Sequence, residues 1–164
     1  KIIKAYQKKL MIKINVLISN KNWKKYIKDP DLYFKKKTIK VQKNLNLFKK
    51  NKFSFSLLLA GNKEIQNLNK KFRKKNKTTD VLSFPFYEKK ILNKLVKKSQ
   101  SIYLGDVIIN LNKIIKQAKN KKFTSVFDKI WIHGLSHLLG YRHKSNNEFL
   151  AMQRIENKIY KCIN

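Results

Sequence analysis

Three histidines lie close together near the end of the chain, with a spacing typical of metal ligands. They are His133, His137 and His143, and the 164-residue sequence contains no other histidine. Residues four positions apart on an α-helix lie on the same face, so the first two can hold one ion between them. Gly140 permits the positive φ angle that ends a helix and turns the chain back. We therefore expect His143 to reach the same ion.

A site built from three histidines favours zinc in a catalytic role. Imidazole nitrogens are common zinc ligands, and three of them leave the fourth tetrahedral position open to water. Zinc lowers the pKa of such a water to about 7, which makes hydroxide available near neutral pH. Two alternatives stay open. One is a chance cluster of histidines, and the other is a closed structural site to which Cys162 contributes the fourth ligand.

The histidine spacing equals that of the metzincin peptidases, H-E-x-x-H-x-x-G-x-x-H. The glutamate that acts as general base in those enzymes is replaced here by Gly134. Without this carboxylate, peptide hydrolysis lacks its usual proton acceptor. Zinc hydroxide could still attack a phosphodiester if cations hold the substrate and stabilise the developing charge. The pattern favours a nuclease, and a metallopeptidase is the second hypothesis.

Upstream residues could bind phosphate or support the metal site. Only three arginines occur, Arg73, Arg142 and Arg154. A guanidinium can hold a phosphate through two parallel hydrogen bonds, so Arg73 is a candidate for positioning the substrate. Asp80 and Asp106 are candidates for orienting a ligating imidazole. Capping of a turn or a helix is an equally open role for both carboxylates.

The charge of the chain is strongly positive. Forty Lys and Arg residues stand against nine Asp and Glu, which gives a formal net charge of +31. Such a charge favours nucleic acid, because neutralised phosphates release their condensed counterions. An A+T-rich genome that biases codon choice toward lysine, asparagine and isoleucine explains the same composition. The charge therefore supports an RNA partner without identifying one.

The remaining composition indicates a cytoplasmic protein without a membrane span. Cys162 is the single cysteine, so no intrachain disulfide can form, in agreement with a reducing compartment. No apolar run approaches the roughly 20 residues needed to cross a bilayer. Met11 opens a better structured segment, and we interpret residues 1–10 as an N-terminal extension and residues 11–164 as one domain.

Apolar periodicity predicts alternating strands and helices. Strands are predicted at residues 12–19, 53–60, 81–85 and 102–109, and Pro85 restricts the third of them to an edge or an end. Helices are predicted at residues 62–72, with Ile65, Leu68 and Phe72 on one apolar stripe, at residues 110–119 and 123–139, and near residues 45–51. A last helix is predicted from Ser145 onward, where Ser145 and Glu148 form a capping box. The D-P-D segment at residues 29–31 is predicted to break the basic stretch that contains it, and residues 86–101 to form a mobile loop or irregular helix. This order predicts a single α+β domain with a mixed sheet and a long, metalloprotease-like, metal-bearing helix.

These motifs together resemble the YbeY family of bacterial rRNA maturation factors, which are single-strand-specific, metal-dependent endoribonucleases. The matching segments are residues 133–143 (H-G-x-x-H-L-x-G-Y-x-H), 79–85 (T-D-V-L-S-F-P) and 104–106 (L-G-D). Arg73 stands where the family has its functionally important arginine, and Met152 and Glu156 stand where its last helix expects them. The resemblance spans the chain from about residue 53 to its end.

The resemblance implies a zinc-bearing helix in a cationic cleft and a role in 16S rRNA 3′-end maturation and ribosome quality control, with ribosomal RNA and the small ribosomal subunit as partners. It implies one zinc ion at the three histidines, with Arg73 and His133 as catalytic residues. Arg142 departs from the aspartate that the family usually has before its third histidine, and residues 76–78 (N-K-T) also differ. A third hypothesis is a non-catalytic, ribosome-associated protein whose zinc stiffens a helix end.

Overall fold

Four β-strands form one mixed sheet in the computed structural model, which describes residues 11–98 and 101–164. The strands are β1 (Ile12–Ile18), β2 (Lys52–Ala60), β3 (Val81–Pro85) and β4 (Ser101–Asn110). Their order in the sheet is β1-β2-β4-β3. Strands β1, β2 and β4 run parallel to one another, and β3 pairs antiparallel with β4 at one edge of the sheet. Pro85 thus lies in an edge strand, as the sequence predicted.

Within the described residues, seven α-helices accompany this sheet. They are α1 (Pro30–Asn44), α2 (Leu47–Lys50), α3 (Asn62–Arg73), α4 (Lys89–Lys97), α5 (Leu111–Gln117), α6 (Phe123–Leu138) and α7 (Asn146–Ile163). A short 3-10 helix at Lys21–Lys25 follows β1. The predicted α+β fold with a mixed sheet and a long histidine-bearing helix is confirmed. The expected extension at residues 1–10 lies outside the described residues.

The main core lies between the sheet and three helices. On β2 the alternating residues Phe53, Phe55, Leu57 and Leu59 are almost completely buried, because parallel neighbours flank the strand and helices cover this face. Helix α1 packs against β1, α6 packs against β3 and β4, and α7 packs against α6 and α1. Helix α3 covers part of the opposite face with a smaller apolar cluster. The edge strand β3 and its neighbour β4 therefore support the helix that carries His133 and His137.

The D-P-D segment breaks the basic stretch as predicted, since the 3-10 helix ends at Lys25, and it also begins α1, which was not predicted. The Asp29 side chain accepts a hydrogen bond of 2.9 Å from the backbone N–H of Leu32, and Pro30 occupies the first helical position. Proline is favoured there because its missing N–H has no partner in the first turn and its fixed φ angle suits a helix. Pro30 disfavours helix in the residues before it and favours the helix α1 that follows it.

Two expectations about local structure were wrong. The region predicted as a loop or irregular helix contains the regular helix α4, which buries Leu92; its many lysines obscure the apolar period. Phe72 was placed on the apolar stripe of α3, yet its side chain is 57% exposed. Its ring packs edge-on against Phe84 of the edge strand β3, with centroids 5.2 Å apart. Among the described residues, no helix has the length and apolar character needed to cross a membrane.

A buried carboxylate joins α1 to α6. Asp128 is 1% exposed and accepts hydrogen bonds from the Tyr33 hydroxyl at 2.7 Å, the Trp131 indole N–H at 2.9 Å and the Lys37 ammonium at 2.7 Å. Burial and the adjacent Asp128 carboxylate raise the pKa of Tyr33, so its hydroxyl stays a proton donor at neutral pH. The network fixes the position of the helix that carries the first two histidines.

Replacing Asp128 by alanine is expected to lower the free energy of unfolding by about 3 kcal/mol, because the ammonium and two other donors lose their buried acceptor. Urea denaturation monitored by circular dichroism measures the change. Asp31→Ala is the matched control, since this carboxylate is exposed in the first turn of α1 and contributes less than about 1 kcal/mol. Equal effects of the two substitutions would contradict a structural role for the buried network.

Candidate metal centre

The structure brings the three histidines together. His133 and His137 lie one turn apart on α6, and their Nε2 atoms are 3.2 Å apart. The ring of His143 lies 5.8 Å from that of His133 and 5.2 Å from that of His137, measured between centroids. One nitrogen of each ring lies within 4.8 Å of the others, so the group could hold a single metal ion. The three rings thus lie as close together as their spacing in the sequence predicted.

Gly140 returns the third histidine to the site. Its φ angle is +83°, in the region that favours glycine. The N–H of Gly140 donates to the carbonyl of His137, and the N–H of Tyr141 donates to the carbonyl of Ser136, both at 3.0 Å. These two bonds form a Schellman motif, which ends the helix and reverses the chain. The predicted helix end at this glycine is confirmed.

The two helical histidines are oriented through their second nitrogens. His133 Nδ1 lies 2.8 Å from Glu156 Oε1 on α7, and His137 Nδ1 lies 3.1 Å from the carbonyl oxygen of Tyr141. Such outer contacts select the tautomer and hold the ring so that Nε2 points at the metal. Both Nδ1 atoms are engaged in this way, and both Nε2 atoms face each other.

The protonation state also suits metal binding. Burial, followed by the neighbouring His133, lowers the pKa of His137 to about 4. This imidazole is therefore neutral at pH 7, and a neutral ring is the form that ligates a metal. Three convergent imidazoles, two of them held from behind, form a donor set that fits zinc.

Gly134 on α6 faces the sheet at a position where a side chain has no room. A Cβ atom at this position would lie 2.6 Å from Cγ1 of Val107 on β4 and 3.4 Å from Oγ of Ser83 on β3. A valine side chain is stiff, so even one extra carbon requires the helix to shift. The absence of the peptidase glutamate is thus a packing requirement of this fold as well as a chemical difference.

A basic cleft opens beside the three histidines, between β3 and the ends of α3 and α6. Its volume is about 500 Å³. All three histidines line it, as do the four cations Arg73, Lys75, Arg142 and Lys144. We call this space the basic cleft. It places Arg73, at the end of α3, on the same cavity as the histidines, although the two groups lie far apart in sequence.

Ser83 is a polar residue of the cleft that the sequence analysis did not single out. It lies on β3, within the T-D-V-L-S-F-P segment, and is 7% exposed. Its hydroxyl has no hydrogen-bond partner within the described part of the chain, although it lines the basic cleft. Its position inside a recognised motif was the available signal.

Neither aspartate considered from the sequence orients an imidazole. Asp80 accepts hydrogen bonds from the backbone N–H of Val81 and from the side chain of Gln117, in agreement with the capping alternative. Asp106 accepts a hydrogen bond of 2.7 Å from the Tyr103 hydroxyl on the surface of the sheet. The carboxylate that contacts a histidine is Glu156, for which the sequence offered only a position in the last helix.

Comparison with known proteins identifies the family. The family described as Endoribonuclease YbeY matches residues 17–164. The chain belongs to the Endoribonuclease YbeY family. It is 41% identical over 156 residues to Endoribonuclease YbeY of Pelagibacter ubique, covering 93% of this chain and 97% of that protein. It is 39% identical over 156 residues to Endoribonuclease YbeY of Buchnera aphidicola from Acyrthosiphon pisum, covering 92% and 90%.

A solved structure supports the fold of this YbeY family member. The solution structure of TM1509 from Thermotoga maritima superposes with a TM-score of 0.55 at 22% sequence identity, covering 90% of this chain and 89% of that chain. At this identity the comparison bears on the fold alone. The family match confirms the resemblance on which the sequence analysis relied, whereas the roles of Arg73 and His133 and the three metal ligands stay predictions.

Proposed function

We propose that this protein is a zinc-dependent endoribonuclease that cuts single-stranded RNA. The observation that carries the proposal is the convergence of His133, His137 and His143 on one wall of the basic cleft. Membership of the Endoribonuclease YbeY family supports RNA as the substrate. The net charge of +31 is consistent with a polyanionic partner.

The three histidines would hold the zinc ion, and the rest of the chain would keep them in place. When bound, zinc supplies Lewis acidity and acidifies water. Glu156 and the Tyr141 carbonyl fix the ring orientations from behind. In the part of the chain that the structure describes, the metal-binding group consists of these three histidines alone. Cys162 instead packs against the hydrophobic core, which favours an open catalytic site over the closed structural alternative.

The cations of the cleft would hold the RNA backbone. Arg73 can donate two parallel hydrogen bonds to a phosphate, and Lys75 adds positive charge on the same side of the cleft. Arg142 and Lys144 flank His143 and bring further charge to the site. Pre-positioned cations stabilise the negative charge that accumulates on the phosphate oxygens as the bond breaks. Arg142, which departs from the usual family aspartate, adds to this charge.

The biological substrate that we propose is the 3′ end of 16S rRNA, with the small ribosomal subunit as partner and a role in ribosome quality control. This assignment rests on the family to which the chain belongs. The cytoplasmic location expected from the single cysteine stays a prediction. A metallopeptidase is disfavoured by Gly134, because the fold has no room there for the glutamate that those enzymes use.

The direct test compares RNA substrates with and without metal. Purified protein loaded with zinc is expected to cut single-stranded RNA internally, to leave a duplex of the same sequence intact, and to lose activity on chelation. Precursor 16S rRNA in small ribosomal subunits tests the biological substrate. Full cleavage by metal-free protein would overturn the proposed mechanism, and hydrolysis of unstructured protein in place of RNA would support the peptidase hypothesis.

Replacing Arg73 by alanine is expected to lower kcat/KM for single-stranded RNA by about 100-fold, as for other donors that stabilise transition-state charge. Arg73→Lys should recover only part of the activity, because an ammonium keeps the charge but cannot form the bidentate contact. Arg154→Ala is the control, since this exposed arginine on α7 lies outside the basic cleft. Equal losses in Arg73→Ala and Arg154→Ala would show that Arg73 contributes only general charge.

A further inference from the structure

A second, smaller cavity lies on the other side of the histidines, between the end of α6 and α7. Its volume is about 240 Å³, and we call it the apolar pocket. The residues around it are His133, His143, Phe149, Met152, Gln153 and Glu156. Met152 is 2% exposed and forms part of the apolar wall, whereas the Phe149 side chain is 52% exposed. The proposed function assigns no role to this pocket.

The apolar pocket and the basic cleft share two walls. His133 and His143 line both cavities, so the candidate metal centre lies at their junction. On one side the surroundings are cationic, with Arg73 and Arg142 facing the cleft. On the other side they are mainly hydrocarbon and aromatic, with Phe149 and Met152. A ligand that spans the metal centre would therefore meet phosphate-binding groups on one side and apolar groups on the other.

Nucleotides likewise combine an anionic part with an apolar part. The phosphate is anionic, whereas the base is a flat apolar ring with a polar edge, and bases commonly stack on aromatic side chains. The pocket is smaller than the sites that bind drug-sized ligands, which begin at about 300 Å³, and so suits one ring system. We infer that the apolar pocket binds the nucleobase adjacent to the phosphodiester that is cut. This inference rests on the proposed function and extends it to a base-binding subsite.

Two side chains of α7 are available for such a base. In the described structure, the Phe149 ring has no aromatic or cationic partner, so its face is open for stacking. The Gln153 side chain is exposed and lines the pocket, and its amide can donate to and accept from a base edge. Gln153 lies one turn after Phe149, so the stacking and hydrogen-bonding groups share one helix face. Glu156, which also lines the pocket, is engaged with His133.

The test compares two ligands that differ only in the base and that contain no bond to cut. Adenosine 5′-monophosphate and ribose 5-phosphate are titrated into the zinc-loaded protein by calorimetry. Both bring the same phosphate to the metal centre, so their difference measures the base. The wild-type protein is expected to bind the nucleotide about 10-fold more tightly, the usual size of one base–aromatic stack.

Phe149→Ala is expected to remove this preference by weakening nucleotide binding about 10-fold while leaving ribose 5-phosphate unchanged. Phe149→Trp should keep the preference, because the larger ring still stacks. Leu150→Ala is the matched control, since Leu150 is the next residue of α7, is 45% exposed and lies outside the pocket. Because Phe149 is exposed, its replacement should leave thermal unfolding unchanged, and an unchanged melting temperature checks this.

Several outcomes would overturn the inference. Equal affinities of the wild-type protein for the two ligands would do so, as would an equal loss for both ligands in Phe149→Ala. An apolar amino-acid amide that binds with the same dependence on Phe149 and displaces the nucleotide would assign the pocket to a peptide side chain. Cleavage of single-stranded RNA is measured in parallel. If the protein cuts RNA but shows no base preference, only the base-binding subsite is rejected. If it cuts no RNA, the proposed function is rejected.

Discussion

Replacing His137 by alanine is expected to lower the affinity for zinc by more than about 100-fold, since loss of a residue that only supports a ligand costs up to that much. Cleavage of single-stranded RNA should fall to background in the same variant. His137 is the most central of the three imidazoles, because its Nε2 lies 3.2 Å from that of His133 and its ring lies 5.2 Å from that of His143. Zinc affinity is measured by competition with a chromophoric chelator.

The controls separate loss of metal from loss of structure. Circular dichroism of metal-free His137→Ala and metal-free wild type should agree in helix content, because the ring is only partly buried. Chelation of the wild type should reproduce the loss of cleavage, and added zinc should restore it. A variant that still binds one zinc ion per chain with wild-type affinity would show that the three histidines are not the metal site.

Replacing Gly105 by alanine is expected to destabilise the fold by about 4 kcal/mol, through backbone strain and steric overlap together. Gly105 has a φ angle of +126°, which an L-residue rarely adopts. A Cβ atom here would lie 2.1 Å from the backbone oxygen of Phe84 and 2.9 Å from the backbone nitrogen of Phe86. Backbone atoms of a paired strand cannot move aside as a flexible side chain can. The overlap therefore displaces β3 from β4.

This displacement should also reach the basic cleft, because β3 carries Ser83. Urea denaturation measures the stability loss, and RNA cleavage at a temperature where the variant is folded measures the functional effect. Gly61→Ala is the matched control. Its φ angle is ordinary, and the nearest atom to the added carbon is the side-chain amide nitrogen of Asn20, which can rotate away. If both variants unfold at the same urea concentration, the backbone at Gly105 does not impose the expected strain.

At Gly105, in the L-G-D segment, the alternation of residues along a strand did not predict which face of the sheet the next side chain occupies. The sequence predicted a strand through Gly105 and considered Asp106 as a support for the metal site. In the structure the pairing of β4 with β2 shifts between Ser54 and Ser56, so two steps along β2 correspond to three steps along β4, from Tyr103 to Asp106. This bulge turns the Asp106 side chain toward the exposed surface. A single inserted residue changes which face a side chain occupies, and alternation alone does not reveal it.

Some helix ends were predicted from the sequence and others were not. The capping box at Ser145 and Glu148 and the glycine end of α6 were both predicted, because each involves residues within one turn of each other. The start of α1 at Asp29 was missed, because the same D-P-D residues are compatible with a break or a beginning. In the structure both occur: the 3-10 helix that contains the buried Trp23 ends before this segment, and α1 begins within it.

The sequence by itself determined the four strands, the long helix α6, the family and the three histidines that could hold a metal, because these depend on local spacing and short motifs. Only the tertiary structure decided that Glu156, 23 residues beyond His133, holds that ring. It also decided that Arg73 shares a cavity with the histidines, and that Phe149 borders an apolar pocket behind them. The physical reason is that helix geometry fixes neighbours three or four residues apart, whereas contacts between elements depend on how all of them pack around the common core.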